Sequence, residues 1–139
     1  TEMDIKNVSN AKKELERTRE KYAAEVRERW GNTEAYKQSE KKYAGYTPEE
    51  KLEIFAEAGE IFKAFAASRG TAPESAPVQE LVKRWQDHIT KSHYDCSREI
   101  LSCLGEMYVG DSRFTESIDR YGEGTARLMS EAIKIYCGA

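Results

Sequence analysis

A chain of 139 residues with 39% hydrophobic and 34% charged side chains holds material for one domain with a modest core. Its net charge of −3 is too small and of the wrong sign to steer binding to nucleic acid, and no apolar run has the length of a membrane span or the pattern of a secretory leader. Three cysteines, an odd number without framework spacing, suit a reducing cytoplasm and not a disulfide scaffold.

Every periodic segment is helical, and none alternates as a strand does. Residues 9–29 read as a charged helix with a thin stripe of Leu15, Tyr22, Val26 and Trp30, ended by Gly31. Asn32 or Thr33 caps a short second helix through Tyr43, and Gly45 breaks the chain. TPEE at 47–50 predicts a capping box, with Thr47 as cap, Pro48 in the first turn and Glu50 closing the box. The helix that follows carries Leu52, Phe55, Phe62, Phe65 and Ala66 inward until Gly70. After the loop GTAPESAP, Pro77 opens a helix with Val78, Leu81, Val82, Trp85 and Ile89 inward.

A weak break near 90–95 precedes a helix on which Cys96, Ile100, Cys103, Leu104 and Met107 share one face. VGDS at 109–112 is a turn, Phe114 and Ile118 mark a short helix, and GEG at 122–124 is a break. The last helix buries Met129, Ala132, Ile133 and Tyr136. The chain opens on Thr1 and not on methionine, as a piece of a longer protein would.

Charge divides the chain unevenly. Residues 1–50 hold 11 basic and 11 acidic side chains, and the remaining 89 hold 11 and 14. Much of the apolar surface of the first fifty is Tyr22, Trp30, Tyr36, Tyr43 and Tyr46. Such a segment buries too little to order itself strongly. We expect residues 47–139 to be the folded core and 1–46 a linker end plus a mobile helical arm that closes over a ligand or docks on a partner.

Candidate chemistry is sparse. His88, His93 and Cys96 match no zinc spacing, helical phase scatters them, and neither histidine is placed as a haem ligand or as a base beside a thiol. No phosphate loop or paired-carboxylate motif is present, so no metal, cofactor or enzymatic activity is expected. If one helix runs unbroken through Cys96 and Cys103, they lie about 10 Å apart along its axis and cannot bridge, since a disulfide needs Cα atoms within about 7 Å. A helix starting near Asp95 would place Cys96 in its first turn, where the dipole favours the thiolate. Glu99 and Glu106 flank Cys103, and neither is a base that would activate it. Cys137 looks incidental. Both Cys96 and Cys103 also fit as small core residues.

Two stretches carry a specific resemblance. EVRERWGNTEAYKQSEKKYAGYTPEEK (25–51) and HYDCSREILSCLGEMYVGDSRF (93–114) resemble the TipA-type antibiotic-recognition domain, over roughly Tyr22 to Tyr136. That domain forms the C-terminal half of MerR-family transcription activators and also occurs alone as a drug-sequestering protein. The resemblance implies an all-α, globin-like fold without haem, and a cleft for thiopeptides or other bulky apolar antibiotics. It implies an N-terminal segment that orders on binding. In thiostrepton-induced members a cysteine adds to a dehydroalanine of the ligand. The SCLGEMY context matches that cysteine to Cys103, and YDCS matches Cys96 to a secondary one. Proximity of a bound electrophile can replace activation of the thiol, so Cys103 is preferred over Cys96 for capture.

The expected ligand surface is Trp30, Tyr36 and Tyr43 from the arm, with Trp85, Tyr94, Asp95, Cys96, Met107 and Tyr108 around the cleft. Tyr94 would be an apolar wall and Asp95 an acceptor or helix cap. The resemblance further implies a cytoplasmic, homodimeric full-length protein that reaches DNA only through a MerR-type domain outside this chain. The competing reading is a helical protein-interaction module whose cysteines are core.

Overall fold

The computed structural model describes residues 33–138, which form six α-helices with no strand among them. By compactness the chain divides into residues 1–37 and residues 38–139. The expected helix over 9–29, its stripe and Trp30 lie outside the described residues.

Helix α1 (Glu34–Ala44) starts where Thr33 accepts the amide of Tyr36 at 3.2 Å, as the capping signal predicts. It buries none of its own residues. Helix α2 (Pro48–Ala67) carries the predicted capping box in full. The Glu50 amide donates to Thr47 Oγ1 at 3.1 Å and the Thr47 amide to Glu50 Oε1 at 3.2 Å. Two of its expected core residues are corrected. Leu52 is 70% and Phe55 72% exposed, because burial on α2 begins only at Ile61 and continues through Phe65 and Ala66. Among the described residues, the first two turns carry no buried side chain, so their apolar period contributes nothing to the core.

Helix α3 (Ala76–Ser92) supplies Val78, Val82, Trp85 and Ile89 to the core at spacings of three and four. Helices α4 (Arg98–Gly110), α5 (Ser112–Asp119) and α6 (Thr125–Tyr136) complete the described fold. Asp111 caps α5 through the Arg113 amide at 3.0 Å. Gly124, at φ 91°, makes the left-handed turn into α6, a conformation that costs glycine little. From α6, Met129, Ala132 and Ile133 are buried as the period predicts.

The inward face of α4 differs from expectation. Leu101, Gly105 and Tyr108 face the core, Ile100, Leu104 and Met107 flank them, and Cys103 is exposed. The reason is a close approach to α6. A Cβ at position 105 would stand 2.9 Å from Cγ2 of the buried Ile133. Only glycine lets α4 lie this close, so the helix turns position 105 toward α6. Gly105→Ala should therefore lower stability by about 1–3 kcal/mol despite alanine's better helix propensity. Denaturant unfolding of Gly105→Ala, Ile133→Ala and the double variant checks this. The double variant should be less destabilised than the sum of the singles, since removing Cγ2 makes room for the new methyl.

Candidate ligand-binding site

Three of the site candidates, Tyr94, Asp95 and Cys96, lie in the break between α3 and α4, residues 93–97. Three hydrogen bonds tie this break and the last turn of α3 before it to α1 and the turn after α1. Lys42 Nζ donates to the Thr90 carbonyl at 2.9 Å, and the Tyr46 hydroxyl to the Ser92 carbonyl at 3.0 Å. The Asp95 amide donates to Gln38 Oε1 at 2.9 Å. Thr90 and Ser92 lie in the last turn of α3, whose carbonyls have no partner within the helix. A lysine there also meets the negative end of the helix dipole. Beside these bonds is a cavity of about 550 Å³ lined by Gln38, Lys41, Tyr46, Glu50 and Lys91, among others. A second, of about 370 Å³, lies between Glu57 and the outer face of α3 and is lined largely by charged side chains.

The two thiols of the motif occupy opposite environments. Ser97 caps α4, its hydroxyl accepting the Ile100 amide at 3.2 Å. Cys96 therefore precedes the cap and lies outside the first turn, which corrects the expected dipole activation. Asp95 is not the cap either. Cys96 is buried, its amide donating to Thr90 Oγ1 at 3.1 Å and its carbonyl accepting from Gln86 Nε2 at 2.9 Å. Burial, with a smaller push from the Cys137 thiol, raises the Cys96 thiol to about 11. Cys103 is exposed. No unbroken helix joins the two, so the axial-rise argument against their bridging does not apply. One is simply inside and the other outside.

Of the aromatic candidates, Trp85 and Tyr108 are core residues in this structure and not open cleft wall. Trp85 Nε1 donates to the Tyr108 hydroxyl at 3.1 Å, and both are buried. Phe62 packs on Trp85 at 4.9 Å between ring centroids and stacks on Tyr121 at 5.4 Å. Tyr94 and Met107 are half-buried, and Asp95 is exposed. Tyr43 is exposed, set edge-on to Tyr46 with centroids 6.2 Å apart, and Lys51 Nζ stands 4.8 Å from its ring centroid. Tyr36 is half-buried.

The histidines are brought together where helical phase scattered them. His93 falls past the end of α3 and folds back edge-on to His88, with ring centroids 5.8 Å apart. His88 Nδ1 lies 3.0 Å from Glu57 Oε1, a bond that holds the Glu57 carboxyl below its usual value. Burial pushes His93 down, helped by His88 and Lys42. Among the described residues, no group of three or more His, Cys, Asp or Glu is arranged to hold a metal ion.

This geometry accompanies a specific likeness. The sequence profile of the TipAS antibiotic-recognition domain matches residues 22–136. The chain belongs to the TipAS family. That span includes every candidate site residue, from Trp30 to Tyr108. The HTH-type transcriptional activator mta of Bacillus subtilis is 41% identical over 125 residues, 90% of this chain and 48% of that protein. The HTH-type transcriptional activator TipA of Streptomyces coelicolor is 44% identical over 116 residues, 82% and 46% respectively. The chain thus spans about half the length of these curated relatives. The structure of TipAS from Streptomyces lividans in complex with nosiheptide superposes with a TM-score of 0.79 at 42% identity, covering 86% of this chain and 85% of that one.

Sequence periodicity did not single out Gln38, Lys42, Tyr46 and Gln86 in this TipAS domain. They act through single long-range hydrogen bonds, which leave no periodic trace. The Ser97 cap had a local signal, a serine just ahead of the apolar period of α4, that competed with Asp95 two residues earlier. The two thiol environments should separate in alkylation. At pH 8 iodoacetamide should label Cys103 first. Cys96 should label only as pH approaches its raised value or once the fold opens, because only the thiolate reacts. Tryptic mass mapping over time checks the order.

Proposed function

We propose that this domain recognises thiopeptide-type or similarly bulky, largely apolar antibiotics and captures a dehydroalanine-bearing ligand through Cys103. The observation that carries the reading is the exposure of Cys103 on α4, close in sequence to the 93–97 break. The reading of both cysteines as core predicts the reverse. TipAS of Streptomyces lividans, to which the chain is similar over most of its length, is solved in complex with the thiopeptide nosiheptide.

In the proposed step Cys103 Sγ adds to the methylene carbon of the dehydroalanine. The thiol proton ends on the α-carbon, nothing leaves, and one thioether forms. The reaction is stoichiometric, without turnover. A held electrophile has an effective concentration on the order of 10⁵ M in favourable cases, so the thiol needs no activating base. Tyr94, Asp95 and Met107 would meet the ligand beside Cys103, with Tyr36, Tyr43 and Trp30 contributing aromatic surface from the arm. Trp85, Tyr108 and Cys96 would support that surface from within.

As the sensing half of a homodimeric, cytoplasmic activator, the domain would act on DNA through a separate MerR-type half. Ligand would favour the state in which Gln38, Lys42 and Tyr46 hold the break, by its differential affinity for that state.

The test is intact-protein mass after mixing with nosiheptide or another dehydroalanine-bearing thiopeptide. Wild type and Cys96→Ala should gain one ligand mass and Cys103→Ala none. A gain that survives in Cys103→Ala overturns the assignment. Absence of both adduct and reversible binding in wild type overturns antibiotic recognition.

A further inference from the structure

Two cysteines far apart in the chain both lie at the foot of α4. Cys96 Sγ lies 3.8 Å from the Ser97 carbonyl oxygen, and Cys137 Sγ lies 3.3 Å from the Arg98 carbonyl oxygen. These carbonyls are consecutive, and the first already accepts the Leu101 amide at 2.9 Å, so it points along the axis of α4. The thiols therefore flank one short strip of backbone. A single side chain holds the two segments together. Gln86 Nε2 donates to the Cys96 carbonyl at 2.9 Å, while Gln86 Oε1 accepts the hydroxyl of Tyr136, the neighbour of Cys137, at 2.7 Å. The Arg98 guanidinium adds a second tie, 5.3 Å from the Tyr136 ring centroid.

From this juxtaposition we infer that Cys96 and Cys137 are a redox modification site, which a hydroperoxide closes into an intramolecular disulfide. Cys137 is the more accessible partner and the one free to adjust. Helix α6 ends at Tyr136, and Gly138 at φ 76° turns the chain out of the helix. Burial raises the Cys137 thiol while the Arg98 charge opposes that rise. Oxidation begins there. The Cys137 sulfur takes the terminal oxygen of the peroxide, giving a sulfenic acid and one water or alcohol. Cys96 sulfur then attacks the sulfenic sulfur, the S–S bond forms and a second water leaves. Two thiols lose two protons and two electrons, and the peroxide is reduced by the same two electrons.

The cross-link closes α4, α5 and α6 into one loop and fixes the residue just before the α4 cap. Cys103 takes no part in it. Both thiols are raised, so closure is slow relative to reaction of an exposed thiol. The site responds to sustained oxidation and not to a brief pulse.

The experiment uses the full chain with Cys103→Ala, so that only Cys96 and Cys137 remain, treated with hydrogen peroxide. Expected are the loss of both titratable thiols, a monomer lighter by two hydrogens, a linked Cys96–Cys137 peptide under non-reducing digestion, and a higher unfolding midpoint. Dithiothreitol should reverse all four. Adding Cys137→Ser, a change at a half-buried position, should abolish the linked peptide while the circular dichroism stays that of the parent. Three results overturn the inference. They are thiols that stay reduced, disulfide found only in dimers, or oxidation that ends as sulfinic acid on one cysteine.

Discussion

The close approach of α4 and α6 at Gly105 sets the orientation on which the rest of the site depends. With Ile133 Cγ2 only 2.9 Å from where a Cβ would be, position 105 must face α6. Leu101 and Tyr108, four before and three after it, then share the buried face. Cys103, two residues away on a turn of 3.6, is carried to nearly the opposite side and into solvent. One missing methyl group thus goes with the exposure of Cys103. The same rotation brings the Tyr108 hydroxyl to Trp85 Nε1 and satisfies a buried donor that would otherwise be costly.

How much of this was legible in the sequence follows from the range of each interaction. Local devices were read well. The Thr47–Glu50 box, the Thr33 start, the breaks at Gly45 and Gly70 and the inward rows of α3 and α6 all depend on neighbours within four residues. The face of α4 was misread because a glycine carries no hydrophobic weight in a periodicity count, yet here it marks the closest contact. Leu52 and Phe55 failed for the opposite reason. Their spacing is right for a core stripe, but period says nothing about how far the core extends along a helix. The Cys103 assignment came from a long motif, and the dipole argument that favoured Cys96 failed by two residues of helix start. Boundaries of that kind are the least certain part of any pattern reading.

The break at 93–97 works as it does because it serves two helices at once. It follows the orphan end of α3 and leads into the cap of α4, and helix ends are where backbone groups lack partners. Lys42, Tyr46 and Gln38 supply partners at 90, 92 and 95, so satisfying one helix end also positions the lead into the next. Cys96 is fixed from the same neighbourhood by Thr90 and Gln86. Its burial follows from these bonds and from the core behind it, and burial is what makes it a poor nucleophile.

An enzyme must regenerate its thiol and so needs a base, an acid and a route for product release. A domain that captures its ligand once, as proposed for Cys103, would need none of these. His88 faces Glu57, and His93 packs edge-on to His88. The selectivity of a capture domain must then come from binding, because an exposed thiol by itself discriminates little among electrophiles. If Cys103 captures its ligand as proposed, binding energy that holds the reactive double bond against it would raise the rate for that ligand alone, while free electrophiles would meet the thiol at their bulk concentration. In the proposed capture, specificity and speed would therefore have one source, the surface that holds the ligand beside Cys103. On the proposed reading, a change that loosens the Lys42, Tyr46 or Gln38 bonds would weaken recognition and capture together while leaving Cys103 as reactive as before toward small reagents.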